Sequence, residues 1–269
     1  MTAFANHFVF EFKTGLRNST SLLMNYLFPL GFYALMGLVM TEINPTFSAT
    51  LIPAMILFAA MASALLGLPG PLVESREAGI YRSFKINGVP AISILTIPTI
   101  STIFHALIVA VIISLTGSAL FGGTPPVDWG SFTAITLVVV LVLGAIGALI
   151  GVIATGSRST VLWSQLVFLP SMLLGGLMMP LDILPESVRS VSALLPTSHA
   201  MQAYLGFAYK QPTVFNPTIS LIVLAVSGLI AFGLSIYLFN WDSRNSARRG
   251  HPLMALLVLV PYLIAAFIK

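Results

Sequence analysis

The histidines, carboxylates, serines and lysines of this 269-residue sequence do not fall at spacings that build a reaction centre. Metal-assisted peptide hydrolysis needs His-Glu-x-x-His on one helical face, and a serine nucleophile on a strand-to-helix elbow needs Gly-x-Ser-x-Gly. Neither occurs, and no metal site is assigned. His105 and Ser101 stand one helical turn apart with nothing to orient them, so no catalytic residue is assigned either. A P-loop needs glycines whose amides cradle phosphate, then Lys followed by Ser or Thr. Only Lys13 is followed by such a residue, Thr14, and Phe12 and His7 occupy the glycine positions, which excludes ATP binding by that route. The absence of cysteine excludes disulfides, thiolate nucleophiles and iron–sulfur clusters.

The residues that could do chemistry of another kind, partner recognition, lie in one short connection. Glu74-Ser-Arg76-Glu77-Ala-Gly79-Ile80-Tyr81-Arg82-Ser-Phe84-Lys85 closes with Gly88-Val89-Pro90. Ile80 and Phe84 are one helical turn apart with Tyr81 beside them, so a short helix here exposes an apolar ridge fringed by charge. An apolar anchor with a charged rim is how a docking element looks. A charged loop that merely holds topology is the plainer reading.

The elements that position this segment are hydrophobic helices. Of the residues, 57% are hydrophobic and 7% charged, far from the ~25% charged residues of a soluble domain. The net charge of +4 is scattered between apolar stretches and forms no face for nucleic acid. Six windows are long and apolar enough to cross a bilayer: Leu22–Met40, Leu51–Val73, Ala91–Leu120, Phe132–Thr155, Val161–Met179 and Thr218–Phe239. A seventh, Leu253–Ile268, is short and holds Pro261. It either spans, tucks in halfway or lies at the interface. The first window is read as a retained span rather than a cleaved signal.

Basic residues set the orientation. With the amino terminus inside, Lys13, Arg17, Arg76, Arg82, Lys85, Arg158, Arg244, Arg248 and Arg249 face the cytoplasm, and only Arg189, Lys210 and, if the seventh segment spans, Lys269 face out. Ahead of the first span, Phe4, Phe8, Phe12, Val9 and Leu16 share one helical arc, with Asn6, Lys13, Arg17, His7 and Glu11 on the other and Phe10 as the exception. That pattern predicts a helix lying flat at the cytoplasmic interface. On the outer side, Pro180 to Pro217 reads as two short amphipathic helices broken at Pro196, the second capped by Thr197 or Ser198.

Within the spans, His105 is the clearest ionisable residue, either a substrate contact or a histidine bonded to a neighbour. No carboxylate relay crosses the membrane, which disfavours ion-driven transport. Gly144, Gly147, Ala148 and Gly151 line one face of the fourth span and predict close helix packing, within the chain or with a second one. Pro29, Pro98 and Pro170 predict kinks in the first, third and fifth spans.

Arg76-Glu77-x-Gly79-Ile80 followed by Gly88-Val89-Pro90, directly after a second span, resembles the signature of permease subunits of type-2 ABC exporters. Gly175-Gly176-x-x-x-Pro180-x-x-x-Leu184-Pro185-x-x-Val188, then Leu195-Pro196, is similar to the family's second signature at the outer end of the fifth span. The resemblance covers about residues 1 to 240. It implies an all-α integral membrane protein with a six-helix transmembrane domain over residues 21–241. It also implies an N-terminal connecting or elbow helix over residues 1–20 and an outer re-entrant hairpin at Pro180–Lys210. A basic linker at 242–252 and the extra hydrophobic segment at 253–269 would follow. The Glu74–Asn87 segment becomes the coupling helix, with Glu74, Arg76, Glu77, Gly79, Ile80, Tyr81 and Phe84 docking on an ATPase. Two departures stand: the family usually ends after six spans, and an arginine common after the second signature is replaced by Tyr204-Leu205-Gly206.

The implied function is export, powered by two copies of a separate ABC ATPase that holds ATP and magnesium. A second permease chain, identical or different, and membrane lipids complete the assembly, in the cell membrane. The chain itself carries no cofactor and is not an enzyme. Without charged rings in the spans, the cargo expected is hydrophobic or amphipathic, a drug, antibiotic or lipid-like molecule, along a path with His105, Met172, Met178 and Met179. A polysaccharide or glycolipid is the alternative cargo, and an ATP-independent membrane scaffold is the alternative of another class.

Overall fold

A chain in lipid must satisfy its backbone within each segment, and the only regular structure among the described residues is helical. The computed structural model describes residues 2–242 and 250–267; Arg244, Arg248, Arg249, Ile268, Lys269 and most of the expected basic linker lie outside them. The order is α1 Thr2–Arg17, α2 Ser19–Ile43, α3 Leu51–Glu77, α4 Ile80–Ile86, α5 Ala91–Phe121 and α6 Trp129–Ile153. Then come α7 Ser157–Leu174, α8 Glu186–Ser192, α9 Pro196–Ala203, α10 Pro217–Leu238 and α11 Val260–Phe267. Among the described residues, α2, α3, α5, α6 and α10 are long and apolar enough to cross a membrane. They correspond to five of the six full-length windows.

The fifth window, Val161–Met179, corresponds to α7, which is 18 residues long and is not among these five. Arg158, Ser164 and Gln165 lower its hydropathy, and Gly175 and Gly176 end it at Leu174, Gly176 at φ +85°. Met178 and Met179 therefore sit in the bend beyond the helix.

Two helices form the centre. Of their apolar stretches, 89% (α3) and 83% (α6) is buried, against 28% for α2 and 39% each for α5 and α10, so the latter three form the periphery. The glycine face of α6 packs within this chain. A Cβ on Gly147 would collide with the Ala64 carbonyl of α3, one on Gly151 would meet Leu72, and one on Gly144 would meet Thr99 and Ile103 of α5. The expected kink at Pro29 takes a specific form. Pro29 lacks an N–H for the preceding turn, and α2 widens into a π turn at Leu23–Leu27 just before it. A second π turn, Ala62–Gly67 of α3, packs against the first, with buried Asn25 lying over Gly67.

In the amino-terminal helix the side chains divide between protein and surface along a different line from the expected arcs. α1 leans on the bundle through Phe8 against Phe104, Phe12 stacked on His105 at 4.3 Å, and His7 against Phe84. His7 and Glu11, expected on the water side, belong to this protein-facing side, whereas Val9, Phe10 and Leu16 are exposed. Packing against α5 decides the rotation, because it buries aromatic rings that the interface alone would only half cover.

The last segment folds back along α10. Pro252–Leu259 is 3-10 helical and continues as α11. Gly250 and Pro252 lie near Ala154 and Leu238, and Ala265 to Phe267 lie beside Arg189 and Phe215, so the segment runs the length of the bundle.

The glycine contacts make a graded test. Gly147→Ala should destabilise the purified chain by about 1–3 kcal/mol, since Ala64 backbone has nowhere to move. Gly31→Ala, which faces open space, should be neutral or stabilise by up to ~1 kcal/mol. Thermal unfolding in detergent distinguishes the two.

Candidate docking site and hairpin

The segment between α3 and α5 is shaped by two left-handed glycines. Gly79, at φ +75°, ends α3, with its N–H bonded to the Arg76 carbonyl at 3.2 Å. Gly88, at φ +73°, ends α4: its N–H meets the Lys85 carbonyl at 3.1 Å and the Val89 N–H meets the Phe84 carbonyl at 3.0 Å. This paired closure is the Schellman motif, which needs a residue without Cβ strain at the glycine position. Pro90 then opens α5.

Arg76 points inward, not to the surface where a docking role by direct contact would put it. It is 6% exposed, and its Nη1 donates to the carbonyls of Gly151 (3.2 Å) and Val152 (3.0 Å) while its Nη2 donates to that of Ala154. These are carbonyls of the last turn of α6 that the helix itself leaves without donors. A planar guanidinium fits such a cluster, and its charge complements the negative end of the helix dipole.

α4 is held on two more sides. Tyr81 is buried against Phe239 at a ring distance of 5.7 Å, and burial pushes its hydroxyl pKa up. Arg82 pairs with Asp242 at 2.7 Å, just beyond α10. The expected ridge of Ile80, Tyr81 and Phe84 is thus divided: Tyr81 faces in, Phe84 is half-buried beside His7, and Ile80 and Ile86 face out. Glu74, Glu77 and Lys85 are exposed around them. The exposed side of the segment thus carries both apolar and charged residues.

At the opposite end, Gly175 and Gly176 turn the chain out of α7. A Cβ on Gly175 would overlap the Thr197 hydroxyl and the Ser171 carbonyl, so this glycine lets α9 reach α7. Pro185 precedes α8, and Pro180 and Leu184 flank a 3-10 turn, Leu181–Ile183. Pro196 is itself the first helical residue of α9, correcting the expected Thr197 or Ser198 cap. Thr197 instead donates to the Ser171 carbonyl at 3.2 Å. Pro196, Thr197 and Ala200 meet Val139, Val142 and Leu143 of α6, about 15–21 Å from the start of that helix at Trp129. Beyond α9 the chain continues through a π turn, Tyr204–Ala208, past a Tyr204–Thr136 hydrogen bond of 2.8 Å to Ala208, whose carbonyl accepts from the N–H groups of Val127 and Asp128.

A profile of the ABC-2 type transporter family matches residues 4–209, which includes both glycine-punctuated segments. The chain belongs to this family. It is also 24% identical over 240 residues to "Putative transport permease YvfS" of Bacillus subtilis (strain 168), covering 83% of this chain and 91% of that protein. The family model ends at the hairpin end of α9, so α10 and the last segment lie beyond it.

The residues expected along a substrate path take the following places in this ABC-2 family chain. His105 is 1% exposed, bonded through Nδ1 to the Tyr26 hydroxyl at 2.6 Å and covered by Phe12, so it seats α1 on α5. Met172 is half-buried in α7, and Met178 and Met179 follow it at the hairpin end.

Two residues escaped the sequence reading. Arg189, counted only as an outer cation, clamps the turn before α8, donating to the carbonyls of Leu181 (3.1 Å), Asp182 (2.8 Å) and Leu184 (3.0 Å). His199 donates from Nε2 to the Ala193 carbonyl at 2.8 Å and accepts from Ser220 at Nδ1, 3.0 Å, tying α9 to α8 and α10. A four-residue spacing from Pro185 to Arg189 was a usable signal for the first; nothing local marked the second.

Replacing Arg76 by Ala should cost about 3 kcal/mol, because three buried carbonyls lose a charged donor. Arg76→Lys should recover part of this, since an ammonium cannot span the same acceptors. Denaturation midpoints in detergent give both values. A second expectation concerns pH. Burial raises the Glu11 carboxyl above its ordinary 4.5, opposed in part by His7. The folded state therefore holds that proton more tightly, and the stabilisation present below pH 4.5 is lost as pH rises through the raised value. Glu11→Gln should gain in stability on the parent as pH rises from 4.5 through the raised value, and no further above it, measured by thermal unfolding.

Proposed function

We propose that this chain is the membrane-embedded half of an ATP-driven exporter of hydrophobic or amphipathic molecules, such as drugs, antibiotics or lipid-like compounds. The observation that carries this reading is the docking segment. Its inner side is fastened to α6 by Arg76 and to the end of α10 by Arg82 and Tyr81, and its outer side offers Ile80 and Ile86 within a rim of Glu74, Glu77 and Lys85. Such a segment receives force from a partner and passes it to the spans.

The partner in this reading is an ABC ATPase, in two copies, that binds ATP and magnesium. A second permease chain completes the path, and the assembly sits in the cell membrane with the docking segment and the amino terminus in the cytoplasm. The cations support that orientation, since among the described residues Lys13, Arg17, Arg82, Lys85 and Arg158 gather at the docking end and Arg189 and Lys210 at the other. α7 serves as the fifth of six spans, and α8 with α9 as an outer re-entrant hairpin. The low charge of the spans supports an apolar cargo over a strongly charged one.

The test is co-purification from native membrane followed by an ATP hydrolysis assay. The parent chain should bring down an ATPase in stoichiometric amount. Ile80→Asp with Ile86→Asp should lower its recovery at least about ten-fold, the loss expected when an interface anchor worth ~1.4 kcal/mol or more is removed. Unchanged recovery with the chain still folded would sink the docking assignment. Stimulation of hydrolysis by a polysaccharide, and by no lipid or drug, would overturn the cargo class.

A further inference from the structure

We infer that the π turn of α3, Ala62–Gly67, is the joint at which a push on the docking segment turns the two halves of α3 against each other, and that Asn25 of α2 is its latch. The source of the push rests on the docking reading above; the joint rests on what holds α3 on either side of the turn. From Leu51 to Met61 every residue of α3 is buried, and α2 and α5 hold this half: Phe28 and Phe32 of α2 pack on Phe58, and Ile52 lies over Gly117 of α5. From Pro69 to Glu77 the holder is α6, through Leu72 against Gly151 and Arg76 on the carbonyls of Gly151, Val152 and Ala154. One helix is thus divided between two sets of partners, and its winding departs from the α form at the boundary between them.

A π turn closes its hydrogen bonds one residue further along the chain than an α turn, so exchange between the two windings rotates one half of the helix against the other without breaking it. The polar groups at the turn are set for such an exchange. Asn25, 5% exposed, lies over Gly67, its Oδ1 3.2 Å from where a Cβ on that glycine would sit. The Ser63 hydroxyl, wholly buried, belongs to the residue four before Gly67. Neither atom has a partner among the described residues. Buried polar groups left unpaired are costly and call for an explanation. An unpaired acceptor and an unpaired donor on two π turns that pack together supply one: in the second winding the Ser63 hydroxyl donates to Asn25 Oδ1. Asn25 belongs to the α2 and α5 side of the joint, because the next residue, Tyr26, is bonded to His105 of α5. The new bond therefore forms across the joint and offsets the cost of leaving the first winding.

The chain contains no cysteine, so a pair can be placed at the joint alone. Met24→Cys with Gly67→Cys suits a disulfide: the Met24 Cβ is 3.4 Å from the position of a Cβ on Gly67, against about 3.8 Å across such a bond. Two readouts separate the joint from the docking reading. In the purified full-length chain, with no partner, hydrogen exchange at the amides of Gly67 and Leu68 should be at least about ten-fold faster than at those of Leu57 to Met61, and oxidation of the pair should remove the difference. Equal protection of the two stretches in the parent would overturn the joint, whether or not an ATPase docks. In the complex co-purified from native membrane, the oxidised pair should keep the ATPase bound yet hydrolyse ATP at least about ten-fold more slowly, with recovery on reduction. Unchanged hydrolysis in the fully cross-linked complex would sink the coupling role. If the parent brings down no ATPase, the docking reading fails and the exchange measurement alone decides the joint. For the latch, Asn25→Leu and Ser63→Ala should each slow hydrolysis at least about three-fold with a thermal midpoint no lower than the parent's, because each removes an unpaired polar group from this winding. A lowered midpoint with unchanged hydrolysis would make Asn25 a packing residue and overturn the latch.

Discussion

A helix cannot stop inside or beside a membrane without leaving carbonyls that need donors, and water is scarce there. α6 stops at Ile153 with only a short turn before α7, and Arg76 supplies the missing donors. The charge is buried, which is costly for an isolated ion but not for one surrounded by carbonyl dipoles of a helix end. Arg76 comes from the last turn of α3, so the two central helices are joined at the same end at which α4 leaves the bundle. Most of what distinguishes this end of the molecule follows from that joint.

The joint gives α4 a mechanical setting. α4 is only seven residues long and would not hold a helix in isolation. It is held by Tyr81 against Phe239, by Arg82 on Asp242 and by the Schellman closure at Gly88, while Gly79 is the one flexible-type residue between it and α3. A displacement of α4 is therefore shared among α3, α6 and α10 rather than absorbed locally. Along α3 the next departure from regular winding is the π turn at Ala62–Gly67, packed on the π turn of α2. Wide turns of this kind sit where a helix changes direction or couples to function.

The helices were legible in the sequence because lipid imposes a single rule on length and polarity, and five windows match helices of spanning length. Gly79 and Gly88 stood out in the segment between α3 and α5 as residue types, and both adopt the left-handed geometry that only glycine takes cheaply. The directions of side chains were not. Arg76 and Tyr81 fit the charged and apolar pattern of a docking surface, and only the end of α6 and the ring of Phe239 draw them inward. Both partners lie more than sixty residues away in sequence, beyond the reach of periodicity. The partners of His105 were equally out of reach of periodicity, since Tyr26 and Phe12 claim it from another helix and from α1. In α1 only the Phe8 and Phe12 part of the hydrophobic arc packs on α5, and an arc does not say whether lipid or protein covers it.

The carboxyl-terminal segment shows why counting residues can mislead. Pro252–Phe267 has 16 residues, fewer than the ~20 that a spanning α-helix requires. Its first eight residues are wound as a 3-10 helix, which rises about 2.0 Å per residue and covers about 16 Å. The eight residues of α11 add about 12 Å at α-helical rise. The total of about 28 Å approaches the ~30 Å core. Eight residues of 3-10 helix are more than such windings usually sustain. Neighbouring contacts support this one: Ser227 donates to the Val258 carbonyl at 3.1 Å, and Tyr262 packs its ring against His199. The stretch thus lets a short segment reach the hairpin end, where Ala265 and Phe267 close one wall of a cavity beside Arg189. The same winding that solves the length problem places the apolar residues Val260, Pro261 and Ile264 beside Ile222, Val226 and Ile230 of α10.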